Sequence, residues 1–247
     1  IQIMRMNSTS AVKMEQFIRT HKESFRNLKM ELKPVLYGDE ISPPVRFVMI
    51  TASILKMELD YQRIDLFKME QRTEFFKKIN PLQKVPALVV GDEVICDSHA
   101  IALYICGKTN SEALYPKEPL KRAKVDQMMF FNSSTLFQID SFIFTEYFSG
   151  NPVDSKKADN WYSALDYLEY QLNKHVWLGG DEMTLCDICC GTSVSSLQLL
   201  VPTTDRHPKV RQWMARLEQC SFFKLNQQGL EKLSNAVNNN NIKESRP

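Results

Sequence analysis

Apolar positions in the first half of the chain fall into short runs and one helical stripe. Ala87–Val90 and Val94–Cys96 are brief β-type runs on either side of Gly91-Asp92, which predicts a hairpin. Upstream, Leu32–Tyr37 reads as a strand. After a Ser-Pro start, Pro43–Met57 places Val45, Val48, Met49, Ala52 and Leu55 on one helical face. Leu59–Leu66 alternates as a second strand, and Glu70–Ile79 is a short polar helix that stops at Asn80-Pro81. With a helix capped by Ser98, the predicted order is β-α-β-α-β-β-α.

Beyond Asn110–Pro119, a polar stretch with two prolines that reads as a linker, only helical periodicity remains. Leu120–Phe148 is long and apolar, and Asp154–Lys174 carries Trp161, Leu165, Leu168 and Leu172 at spacings that share a face. Leu185–Val201 is apolar almost all round and is expected to be the buried central helix; Val210–Glu218 and Phe222–Leu233 follow. The expected organisation is a leader over 1–31, disordered or an isolated helix, then an α/β domain over 32–111 and a linker over 112–119. An all-α domain over 120–235 and a disordered tail over 236–247, with its four consecutive asparagines, complete it. The order of the first domain is that of a thioredoxin-like half, with a parallel first β-α-β and an antiparallel last hairpin.

Composition narrows the function classes. A net charge of +2 over 247 residues suggests neither nucleic acid nor an anionic membrane as partner, and no apolar run reaches the length of a membrane span. The six cysteines lack the density of a secreted disulfide framework and the paired spacing of a zinc site. Cys186, Cys189 and Cys190 on one apolar segment are expected to pack as small buried side chains, in a reducing, cytoplasmic compartment. No metal is expected. Residues 1–29 are basic and acid-poor, with helical spacing over Met14–Leu28. An organelle presequence and a non-native leader are the two readings, and the second is preferred.

The chemistry gathers around the hairpin. Pro86 just before the first strand leaves the ladder intact, and a cis bond there would turn the backbone of Val85 outward to pair with an extended peptide. Beside Asp97, the helix start at Ser98 suits a ligand carboxylate with an amine nearby. These are parts for a small zwitterionic peptide. Val85-Pro86, Asp97-Ser98-His99-Ala100-Ile101 and Ser42-Pro43-Pro44-Val45-Arg46 together resemble a cytosolic glutathione transferase of the insect delta/epsilon type. The likeness spans roughly Leu32 to Leu233. Thr184-Leu185-Cys186-Asp187 resembles the capping box that opens the buried helix of the family's second domain.

The resemblance implies the glutathione transferase fold, glutathione as co-substrate and a homodimer. It also implies a site made of Ser42, Pro43, Gln71, Gln83, Val85, Pro86, Asp97, Ser98 and His99. Ser42 is the implied catalytic residue, donating a hydrogen bond to the glutathione thiolate. Val85 is to pair with the cysteinyl unit, and Asp97 and Ser98 with the γ-glutamyl amine and carboxylate. Gln71 and Gln83 fall at the glycyl end, where many epsilon members carry histidine. His99 reads as a helix-start residue with local hydrogen bonds more than as an acid or base.

Asp140 stands among Leu136, Phe137, Ile143 and Phe144 at helical spacing, with no Lys or Arg between Lys124 and Lys156, so either a distant residue or a ligand must partner it. Within the family the chain looks most like the noppera-bo transferases of ecdysteroid biosynthesis. That likeness places Asp140 and its four neighbours in the acceptor pocket, the carboxylate accepting from a sterol-like hydroxyl. Three functions follow as expectations: conjugation or isomerisation of a steroid-like substrate, general detoxification, or non-catalytic sterol carriage.

Overall fold

A computed structural model describes residues 33–244, and side chains through Asn240; the predicted leader lies outside the described residues. Four strands, β1 (Val35–Gly38), β2 (Asp60–Arg63), β3 (Ala87–Val90) and β4 (Glu93–Ile95), form one sheet in the order β2-β1-β3-β4. β1 and β2 are parallel, Val35 opposite Asp60, because helix α1 (Pro43–Ile54) crosses between them. β1/β3 and β3/β4 are antiparallel; Gly91, at φ +63, supplies the left-handed position that lets the chain reverse in the hairpin. β1 and β2 are shorter than the runs that predict them, since only the paired residues count, whereas β3 has the predicted bounds and β4 begins one residue earlier than its run.

The sequence pattern predicts one helix over Glu70–Ile79, but the chain forms a 3-10 turn, Glu70–Arg72, and then α2 (Glu74–Ile79). The Thr73 hydroxyl accepts from the Phe76 amide and starts the second piece afresh. Helix α3 (Ser98–Thr109) follows the hairpin, and α1 packs against it on one face of the sheet.

The second half is helical throughout: α4 (Pro119–Phe131), α5 (Phe137–Phe148), α6 (Ser155–Leu172), α7 (Leu185–Leu197), α8 (Pro208–Gln219) and α9 (Lys224–Glu244). The long run predicted over Leu120–Phe148 carries a π-helical segment at Asn132–Leu136 between α4 and α5. There Asn132 points inward, its Nδ2 donating to Ser193 Oγ at 2.9 Å and to the Cys189 carbonyl at 3.2 Å. α7 is buried along its entire length, as expected of the central helix, and α1 packs onto it across the domain junction. Its start is held by Asp187, whose carboxylate accepts from Leu178 N, Thr184 N and Trp213 Nε1 at 2.8–3.0 Å. Cys186, Cys189 and Cys190 are buried along this helix. On α6, the stripe Trp161, Leu165, Leu168 and Leu172 is buried as its spacing predicts.

Over its described residues, 236–244, the predicted disordered tail is a correction. α9 continues through the four asparagines to Glu244 because Leu233 and Val237 are buried, and the Tyr147 hydroxyl donates to the Val237 carbonyl at 3.0 Å. Tertiary burial outweighs the weak helix propensity of asparagine. Among the described residues, no helix is long and apolar enough to cross a membrane.

Candidate active site

The sheet register gathers the predicted site at one end of the sheet. Tyr37 pairs with Ala87, so the turn leaving β1 towards Ser42 lies beside the segment entering β3, which is Val85-Pro86 with a cis peptide bond. Leu88 pairs with Ile95, so β4 delivers Asp97 and Ser98 to the same end. The bond from Arg72 Nη1 to Gln83 Oε1, at 3.0 Å, joins the 3-10 turn carrying Gln71 to the loop carrying Gln83.

Ser42 is the N-cap of α1 in extended conformation, but its hydroxyl makes no cap bond. The reason is local: Pro43 and Pro44 have no N–H, and the amides of Val45 and Arg46 donate to the Ser42 carbonyl, both at 3.1 Å. The first turn therefore offers few amide donors, and the Ser42 hydroxyl is left without a cap bond.

The predicted cap of α3 requires a correction. Asp97, not Ser98, caps the helix, its Oδ1 accepting from His99 N at 2.9 Å and Ala100 N at 3.0 Å, while Ser98 is the first helical residue and is buried. Both residue types cap well, and the end of β4 sets the frame one residue earlier. The His99 side chain and these amides hold Asp97 below the usual carboxylate range despite partial burial. His99 Nδ1 lies 3.5 Å from Ser98 Oγ and 3.7 Å from Asp97 Oδ1, the local contacts its position predicts. Burial opposes its charge, but Asp97 and Cys189 together push His99 up to about 10. An exposed carboxylate thus sits beside a hydroxyl and an imidazole, groups able to take an ammonium and a carboxylate of one ligand. Gln71 Nε2 approaches Met69 Sδ at 3.6 Å, while its buried Oε1 has no hydrogen-bond partner among the described residues.

Asp140 is 3 % exposed, and its Oδ1 has no hydrogen-bond partner among the described residues. Burial, partly offset by the charge of Arg46, pushes its carboxyl up to about 8. At neutral pH the group is therefore a neutral acid, able to donate as well as accept, rather than the carboxylate expected. Leu136 and Ile143 are fully buried in the helical core, Phe144 stacks on Phe148 at 6.1 Å and Phe137 is half-buried. Leu136, Ile143 and Phe144 are closed against the core because α5 turns that stripe towards α7. Phe148 in turn meets Phe67, from the loop after β2, edge-on at 5.3 Å, so an aromatic wall links α5 to the α/β domain. A surface cavity of about 640 Å³ opens elsewhere, between the linker, α4 and the 175–184 loop, and is lined by none of these residues.

Sequence reasoning missed Arg46 and Arg72. Arg46 is fully buried, and burial pulls it down to about 10 against the opposing pull of Asp140. Its Nη1 donates to the carbonyls of Glu40 and Ile41, both at 2.8 Å, in the turn that carries Ser42. The available signal was a cation one turn after Ser42 on a helix otherwise apolar.

Residues 36–107 match the family model of the glutathione S-transferase N-terminal domain, and residues 133–220 that of the C-terminal domain. Glutathione S-transferase 1 of Manduca sexta is 35% identical over 198 residues, covering 76% of this chain and 89% of that protein. The epsilon-class glutathione S-transferase of the housefly, Musca domestica, superposes with a TM-score of 0.81 at 34% identity, covering 85% of this chain and 99% of that one. A Drosophila mojavensis glutathione transferase homologue, solved with bound glutathione, gives 0.80 at 36% identity, covering 84% and 97%. The chain belongs to the glutathione S-transferase family. Its relatives place it with the insect delta and epsilon types, and it is a transferase that uses glutathione.

Proposed function

We propose that the enzyme activates glutathione at Ser42 and transfers it to, or uses it to isomerise, an apolar steroid-like substrate held beside Asp140. The role would be that of the noppera-bo transferases in ecdysteroid biosynthesis. Glutathione would lie along Val85-Pro86, its γ-glutamyl end at Asp97, Ser98 and His99, its thiol at Ser42 and Pro43, and its glycyl carboxylate near Gln71 and Gln83. The carrying observation is the buried, hydrogen-bond-deficient Asp140 one turn from Phe144 and the aromatic wall. A steroid hydroxyl or ketone would satisfy a group whose desolvation is otherwise uncompensated.

The second reading, a general detoxifying epsilon-type transferase, is supported by Arg46, whose charge acts on Asp140 from within the fold and so needs no ligand to do so. Asp140→Ala separates the two. The steroid reading expects steroid affinity to fall about 2- to 13-fold, from a bond to the neutral acid of roughly 0.5–1.5 kcal/mol, while the rate on a small electrophile holds. Equal steroid affinity in mutant and wild type would end it. Steroid binding by wild type without any turnover of model electrophiles would instead favour a carrier.

A cytoplasmic homodimer is the proposed working form, supported by exposed Phe75 and Leu82 on the α/β domain and Phe130 on α4. Sedimentation at about 28.6 kDa at micromolar concentration would contradict it.

A further inference from the structure

Three residues on α9, Asn226, Gly229 and Lys232, recur every third position and so share one face of the helix. All three converge on the turn that delivers Ser42. Asn226 Oδ1 accepts from Arg46 Nε at 2.7 Å, and its Nδ2 donates to Ser195 Oγ at 3.0 Å, so it is locked between α1 and α7. Lys232 Nζ lies 3.0 Å from Glu40 Oε2, an ion pair without hydrogen-bond alignment. Between them Gly229 lets the helix backbone press on the turn: a Cβ there would stand 2.2 Å from the Glu40 carbonyl oxygen and 2.6 Å from Arg46 Cδ. Arg46 carries the grip to Ile41 as well, through its bond to that carbonyl.

A helix packed only for stability would meet this turn with apolar side chains. Here a glycine, an amide and an ammonium fix the carbonyl and side chain of Glu40 and, through the guanidinium, the peptide just before Ser42. Because the Ser42 hydroxyl makes no cap bond to α1, its direction depends on how that turn is held. We propose that α9 is a positioning element for the reaction: its Asn226-Gly229-Lys232 face, acting directly and through Arg46, sets the Ser42 hydroxyl towards the thiol of bound glutathione. The proposal rests on the assignment of Ser42 as the thiolate donor. Small displacements of a donor weaken a charge-assisted bond steeply, so the expected signature is a change in thiol acidity rather than in peptide binding.

The test titrates bound glutathione by thiolate absorbance in wild type, Ser42→Ala, Gly229→Ala, Lys232→Met and Lys232→Arg. Gly229→Ala should raise the titration midpoint by about one pH unit and lower kcat/KM at neutral pH about tenfold, with the KM for glutathione within about twofold. Lys232→Met, which loses a partly exposed ion pair, should shift both in the same direction by about two- to threefold, and Lys232→Arg should restore them. A folded Gly229→Ala with a wild-type midpoint overturns the proposal, as does a lowered melting temperature with no change in midpoint. If Gly229→Ala does not fold, a wild-type midpoint in Lys232→Met overturns it equally. A shifted Ser42→Ala beside unshifted α9 variants rejects the positioning role alone; an unshifted Ser42→Ala rejects the donor assignment itself.

Discussion

Replacing Asp140 with asparagine preserves the shape of the neutral acid while removing its proton, and the consequence follows from where that proton resides. The carboxyl is 3 % exposed, and the guanidinium that acts on it, Arg46, is already bonded to Asn226, the carbonyls of Glu40, Ile41 and Thr192, and the Ser196 hydroxyl. Native Asp140 therefore keeps its proton up to about 8, whereas the unfolded chain releases it near 3.8. Between those values unfolding releases a proton, so stability is greatest below the lower value and falls as pH rises towards the upper one. At about 1.36 kcal/mol per pH unit, the loss reaches about 3 kcal/mol by pH 6 and at most about 6 kcal/mol above pH 8. The Asp140→Asn protein would carry no such penalty. Urea unfolding of both proteins across this range should show the mutant gaining on wild type by about 1.4 kcal/mol per pH unit until about pH 8, and then no further. Other titrating groups cancel in the difference. A difference independent of pH would show Asp140 ionised in the native state and refute the reasoning.

Asp187→Ala should cost about 3–5 kcal/mol, since it strands the amides of Leu178 and Thr184 and the Trp213 indole inside the core; a loss below about 1 kcal/mol by urea unfolding would contradict that. Arg72→Met should raise the KM for glutathione about fivefold with little change in kcat, because the cation bonded to Gln83 faces the proposed glycyl carboxylate. The salt dependence of the KM should also weaken in the mutant, and an unchanged KM would remove Arg72 from the site.

Features written within a few residues were legible in the sequence. The Gly91-Asp92 turn, the Thr184/Asp187 capping box and the Trp161-Leu165-Leu168-Leu172 stripe are each decided by neighbours inside one turn, one hairpin or one helix. Where two good caps adjoin, as at Asp97 and Ser98, sequence cannot choose, because the choice belongs to the strand that precedes them. The extra residue of the π segment is equally silent, since its reason is Asn132 reaching α7 more than fifty positions later. Arg46 entered the sequence reading only as the end of the Ser42-Pro43-Pro44-Val45-Arg46 motif, because its partners Thr192, Ser196 and Asn226 lie 146 to 180 residues away. The helical tail depends on Tyr147, whose hydroxyl binds the Val237 carbonyl 90 residues on. Of the proposed site, the residue types were readable and the convergence was not: it took the register Tyr37 opposite Ala87 and Leu88 opposite Ile95 to bring three separated segments to one end of the sheet.

The account turns on the Ser42 hydroxyl as the donor that keeps bound glutathione ionised, its freedom secured by the two prolines that follow it. Titrating the thiol of bound glutathione by its ultraviolet absorbance, in wild type and Ser42→Ala, tests this directly. Wild type should ionise near pH ~6.5, two pH units below a free thiol, which is roughly 2.7 kcal/mol of thiolate stabilisation. Ser42→Ala should move the midpoint up by about one to two pH units and lower turnover about 10- to 100-fold, with glutathione affinity little changed. Superimposable titrations and equal rates in the two proteins would contradict the account.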